Sequence, residues 1–89
     1  MTERIPAYII ITTYTVYMVE RVVDKYITHE MPYRCDRCDT TQPCCYNMRT
    51  YNNLQDLQSY VHGIHESGTD VKYVDLSRTK VVDYSEQPL

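Results

Sequence analysis

The chain has 89 residues, with 9 basic against 12 acidic side chains and a net charge of −3 when the histidines are neutral. That length suits one domain rather than two. The charge argues against a polybasic nucleic-acid binder and is too weak to mark an acidic mimic of DNA. Hydrophobic residues make up 43%, too many for a disordered chain.

Ten tyrosines stand beside no Phe and no Trp. Each ring that enters the core brings a hydroxyl needing a partner or a boundary position, and Tyr is also enriched at recognition surfaces. The longest uncharged run, 5–19, is shorter than the roughly 20 apolar residues of a membrane span. The N-terminus has neither the basic start nor the small-residue cleavage site of a signal peptide. The expectation is a cytoplasmic protein with no membrane partner.

In chain order, residues 7–20 are rich in β-branched and aromatic types and read as one long strand, with Ile9, Ile11, Thr13, Thr15, Tyr17 and Val19 on one face and Ile10, Thr12, Tyr14, Val16 and Met18 on the other. A turn between Glu20-Arg21 and Asp24-Lys25 leads into a second strand over 25–33, making an antiparallel hairpin. Residues 34–46 hold all four cysteines and read as a loop or zinc-knuckle-like insertion. A short third strand follows over 47–51.

The clearest local signal is a helix capped by Asn52 or Asn53 and stopped by Gly68. Its apolar stripe is Leu54, Leu57, Tyr60, Val61 and Ile64, at spacings of three and four. Alternation returns over 69–76, residues 77–79 make a turn or bulge, and 80–84 either end that strand or form a last short one. Residues 85–89 read as a frayed tail. The fold expected is α+β: an antiparallel sheet of about four strands with one amphipathic helix on one face, plus the Cys-rich loop.

Cys35-x-x-Cys38 followed by Cys44-Cys45 is the chemistry-bearing cluster. In a reducing compartment such a group favours metal over disulfides, and zinc takes four tetrahedral sulfur or imidazole ligands. Three sets remain open: all four cysteines, three cysteines with one histidine, or Cys35 and Cys38 with His62 and His65, which are spaced i, i+3 on the helix; His29 on the second strand is a further substitute. Structural zinc would add folding free energy to a small domain. Redox use of the Cys-x-x-Cys pair ranks lower, because no helix N-terminus follows it to lower a thiol pKa.

The stretch Arg49-Thr-Tyr-Asn-Asn-Leu-Gln-Asp-Leu-Gln-Ser-Tyr-Val61, together with 71–76, resembles in layout the small phage-encoded accessory proteins of the anti-CRISPR type. The resemblance implies a stand-alone inhibitor that binds and blocks a host defence component, acting in the host cytoplasm, and it carries no site residues.

Residues 51–89 hold six acids and three bases, so the net charge lies in that half. The functional expectation is a non-enzymatic protein-binding module, an inhibitor or adaptor, whose Tyr73, Asp70, Asp75, Asp83 and Glu86 meet a larger, basic protein. The alternative is a zinc-containing nucleic-acid binder using Arg34, Arg37 and Arg49 with Tyr33 and Tyr46 as stacking platforms. A homodimer is compatible with either.

Overall fold

The computed structural model describes residues 3–31 and 48–89. The fold is α+β, a six-stranded antiparallel sheet in the order β4-β3-β2-β1-β5-β6 with one helix. The strands are β1 (Arg4–Thr12), β2 (Val16–Val22), β3 (Lys25–Met31), β4 (Arg49–Tyr51), β5 (Val71–Asp75) and β6 (Lys80–Asp83), with α1 (Leu54–Glu66) between β4 and β5.

Six strands rather than about four arise at two places. The uncharged run expected to be one strand folds back on itself after Thr12. There the Thr12 hydroxyl accepts from the N–H groups of Tyr14 and Thr15 and donates to the Thr15 carbonyl, while Thr12 N–H also donates to that carbonyl. A threonine hydroxyl does the work that Gly or Asn usually does at a turn. The second place is β6, which forms its own strand after a turn over 76–79.

The fold-back also changes the faces. Ile10 lies opposite Tyr17 and Tyr8 opposite Val19, so Val19 joins Ile10 and not Ile9 and Ile11. Buried Ile10, Val19, Val71 and Tyr73 then share the helix-bearing face with Leu57 and Val61 of α1 and with Tyr84 just beyond β6.

The helix forms as its pattern predicts. Asn53 is the N-cap, its side chain accepting from Asp56 N–H, and Gly68 stops the helix at φ +90°. Thirteen residues span about 20 Å at 1.5 Å each. The helix must carry the chain from β4 back to β5, four strand spacings away, or about 19 Å. It enters beside Tyr51, paired with Tyr26 at the start of β3, and leaves toward Val71, paired with Thr12 at the end of β1. It therefore crosses the sheet on a diagonal and leaves two opposite corners of that face uncovered.

Residues 85–89, read from the sequence as a frayed tail, make defined contacts. Glu86 and Gln87 N–H groups donate to the Asp83 carbonyl, Tyr73 donates its hydroxyl to the Gln87 carbonyl at 2.9 Å, and Gln58 Nε2 donates to the Leu89 carbonyl at 2.6 Å.

Candidate functional site

A bulge between Pro6 and Tyr8 shapes the larger uncovered corner. Pro has no N–H for the ladder, and a bulge lets a central strand tolerate it. The extra residue reverses side-chain parity. Ile5 pairs with Arg21, which pairs with Tyr26, so all three stand on the helix face with Tyr8 and Asp75. These five residues, with Pro6, Ala7, Leu76 and Ser77, line a cleft of about 380 Å³.

The cleft floor is aromatic. The Tyr8 and Tyr26 rings are 6.5 Å apart and tilted, and Tyr73 meets Tyr8 edge-on at 6.2 Å. Burial is the main cause that raises the Tyr8 pKa, with Asp75 adding to it. Asp75 sits at the rim with one carboxylate oxygen, Oδ1, taken up by the Ser77 hydroxyl at 2.7 Å and the Ser77 N–H at 3.0 Å. Those two bonds hold its pKa below the ordinary carboxylate value. The cleft thus offers two ring faces, an ionised carboxylate and the Arg21 guanidinium.

The opposite corner is smaller, a polar hole of about 130 Å³ lined by Tyr17, Thr28, Glu30, Arg49 and Tyr60. Tyr60 donates its hydroxyl to Tyr17 at 3.3 Å, and the Arg49 guanidinium lies 5.8 Å from the Tyr60 ring centre. Arg49 is the described member of the basic trio expected to meet nucleic acid, and it is engaged with that ring.

The five residues expected to contact a partner do not form one patch. Asp75 lies at the cleft. Asp70, just before β5, lies about 17 Å from Asp75 along the chain, and Asp83 stands opposite Lys72, about 10 Å along the strand. Glu86 follows Asp83 in the turn that closes on its carbonyl. Asp83 repeats the Asp75 device, accepting from the Ser85 hydroxyl and N–H, which lowers its pKa. Tyr73 is 5% exposed with its hydroxyl donated to the backbone, so it stands behind the surface. Sequence reasoning passed over Tyr8, Tyr26 and Arg21. The signal available for them was Pro6 inside an apolar run, which marks a bulge.

The expected metal ligands are divided. Cys35, Cys38, Cys44 and Cys45 lie outside the described residues, as do Tyr33, Tyr46, Arg34 and Arg37. Among the described residues no three His, Cys, Asp or Glu side chains converge as a metal site. His62 bonds through Nδ1 to the Tyr84 hydroxyl at 3.2 Å and through Nε2 to Glu66 at 3.0 Å. The His65 ring lies 5.0 Å from the Tyr84 ring. Both belong to the helix side.

His29 is on the other side. It pairs with Met18, so it points away from the helix, as do Glu20 and, through the bulge, Arg4. Its Nε2 lies 2.7 Å from Glu20 Oε1, which is also 3.6 Å from the Arg4 guanidinium. The His29 side chain is 4% exposed, and its Nδ1 is buried without a hydrogen-bond partner. An unmet buried polar group costs about 1–3 kcal/mol.

No family model matches the chain, and no curated protein or solved structure matches it. Among the described residues no helix is long and apolar enough to cross a membrane. Function is therefore argued from the site itself.

Proposed function

We propose that this chain is a non-enzymatic protein-binding module, a small inhibitor or adaptor that docks on a larger protein through the Tyr8–Tyr26 cleft. The observation that carries this reading is the make-up of that corner. Tyr and Arg are the residue types that dominate binding hot spots, and here they surround a concave, partly apolar surface. The partner side chain that fits best is an arginine: its planar cation stacks on tyrosine faces and pairs with a carboxylate. Asp75 supplies the carboxylate, and Oδ2 is outside the Ser77 bonds. This agrees with a basic partner for the acidic half of the chain.

The test is affinity capture from the source cell with wild type, Tyr26→Ala and Asp75→Asn. The reading requires a stoichiometric protein retained by wild type, weakened about tenfold or more by either change, and unaffected by His62→Ala, whose ring bonds to Tyr84 outside the cleft lining. Absence of a stoichiometric partner, or equal retention by all variants, would overturn it.

A further inference from the structure

The corner that holds the cleft is rich in positive charge although the chain is not. Arg21 lines the cleft. The Arg78 guanidinium overlooks it from the β5–β6 turn: it opposes the burial that raises the Tyr8 and Tyr73 pKa values, and it adds to the Ser77 bonds that lower that of Asp75. Lys80, on β6, stands directly opposite Asp75. Arg21, Arg78 and Lys80 are exposed and enter no ion pair among the described residues. Three cations thus surround the one carboxylate of the cleft, in a chain of net charge −3.

A second recess, of about 60 Å³, adjoins the cleft. Its lining is Tyr73, Asp75, Arg78, Lys80, Val82 and Gln87, so Asp75 is the wall between the two. The turn that presents Arg78 is fixed. The Arg78 and Thr79 N–H groups both donate to the Asp75 carbonyl, at 3.0 and 2.8 Å, and Thr79 is held in the left-handed region at φ 51°. A non-glycine residue keeps that conformation where its surroundings determine it.

Charge decides what this corner accepts. A guanidinium stacked on Tyr8 and Tyr26 meets one carboxylate, Asp75, and lies among Arg21, Arg78 and Lys80. A lone arginine therefore gains one attraction against three repulsions, and like charges brought together at an interface are costly. An arginine that arrives with its own carboxylate offsets that cost, because Arg78 and Lys80 line one recess and offer two cations to it. Resting on the reading that the cleft docks a protein, we propose that the partner presents an arginine and a carboxylate together, the arginine at Tyr8, Tyr26 and Asp75 and the carboxylate between Arg78 and Lys80. Tyr8 and Lys80 both stand opposite Asp75, one strand away on either side, so the two partner groups lie about 10 Å apart.

In a polyproline-II segment, positions i and i+3 share a side at a separation of about 9 Å. The probes are therefore three capped hexapeptides: Ala-Arg-Ala-Ala-Glu-Ala, and the versions with Gln in place of Glu or of Arg. Each is titrated into the full chain and read by the side-chain resonances of Tyr8, Tyr26 and Arg78. The proposal expects the Arg-Glu peptide to move all three and to bind about fivefold more tightly than the Arg-Gln peptide, the worth of a partly exposed ion pair. Arg78→Gln with Lys80→Gln, both at exposed positions, should abolish that advantage while binding the Arg-Gln peptide no more weakly than wild type does. In capture from the source cell, Arg78→Glu with Lys80→Glu should lower partner retention. Stronger retention by that variant, equal binding of the Arg-Glu and Arg-Gln peptides, or an advantage that survives in the Gln variant would each overturn the proposal and leave the arginine cleft standing. Peptides that leave Tyr8 and Tyr26 unmoved at millimolar concentration would overturn both.

Discussion

Val23 occupies the left-handed region at φ 60° in the two-residue turn between β2 and β3, where Val22 pairs with Lys25. Branching at Cβ makes that region costly, by roughly 1–2 kcal/mol, and the side chain recovers little because it is 73% exposed. Asn adopts the conformation readily and suits a tight hairpin turn. Val23→Asn should therefore raise stability by about 1 kcal/mol, seen as a Tm increase of about 4–8 °C for a domain of this size. An unchanged or lower Tm would show that the turn is not strained in solution. Asp75 is a second residue whose role is local. Its folded pKa lies below the ordinary 3.8 because the Ser77 hydroxyl and N–H stabilise the carboxylate. A lowered pKa means stability that is present above the unfolded value and lost as pH falls through the folded one. The urea midpoint of wild type should thus exceed that of Asp75→Asn near neutral pH, and the gap should close below about pH 4. Both aspartates that hold turns were visible as Asp-x-Ser, at 75–77 and 83–85. Read as charges for a partner, they concealed a backbone role.

At the scale of elements, legibility followed how local the determining interaction was. The helix was readable because its cap, stripe and stop all lie within sixteen consecutive residues, 53–68. Leu57 and Val61 of the predicted stripe are the two fully buried positions of α1. The turn after Thr12 was not readable, since Thr and Tyr favour strands and the residues that close it are strand formers. A single misplaced turn reversed the parity of everything assigned to the same strand after it, and so placed Ile9 and Ile11 with Val19. The cleft was hidden for a related reason: its residues come from β1, β2, β3 and β5, and only register brings them together. The helix also carries a correctable defect. Gly63 lies in mid-helix, and a Cβ there would meet no heavy atom within 4 Å. Gly63→Ala should stabilise by about 1 kcal/mol through helix propensity alone. Chemical denaturation should show a higher midpoint with an unchanged slope; a lower midpoint would mean that the outer face of α1 is occupied.

Across the whole molecule, tyrosine takes the place that Phe and Trp usually hold. Tyr8, Tyr17, Tyr26, Tyr51 and Tyr73 stand on the helix face of the sheet, with Tyr60 on the helix and Tyr84 just past β6 packed against them. Tyr51 and Tyr60 meet at 5.5 Å, and Tyr17 meets Tyr60 edge-on at 6.2 Å. A core of phenols couples folding to alkaline pH. Burial raises the pKa of Tyr8, Tyr17, Tyr51, Tyr73 and Tyr84 above the ordinary value of 10.0. A raised folded pKa gives stability that is intact below the unfolded value and lost as pH climbs toward the folded one, because the unfolded chain releases its phenolic protons first. With five such groups the dependence above pH 10 should be steep. Phenolate absorbance followed through an alkaline titration above pH 10 is the check. The buried phenols should ionise together, at higher pH, in step with loss of the circular-dichroism signal. If the buried phenols ionised near pH 10 while secondary structure persisted, these rings would have to be solvated in the native state, and the tyrosine core described here would be wrong.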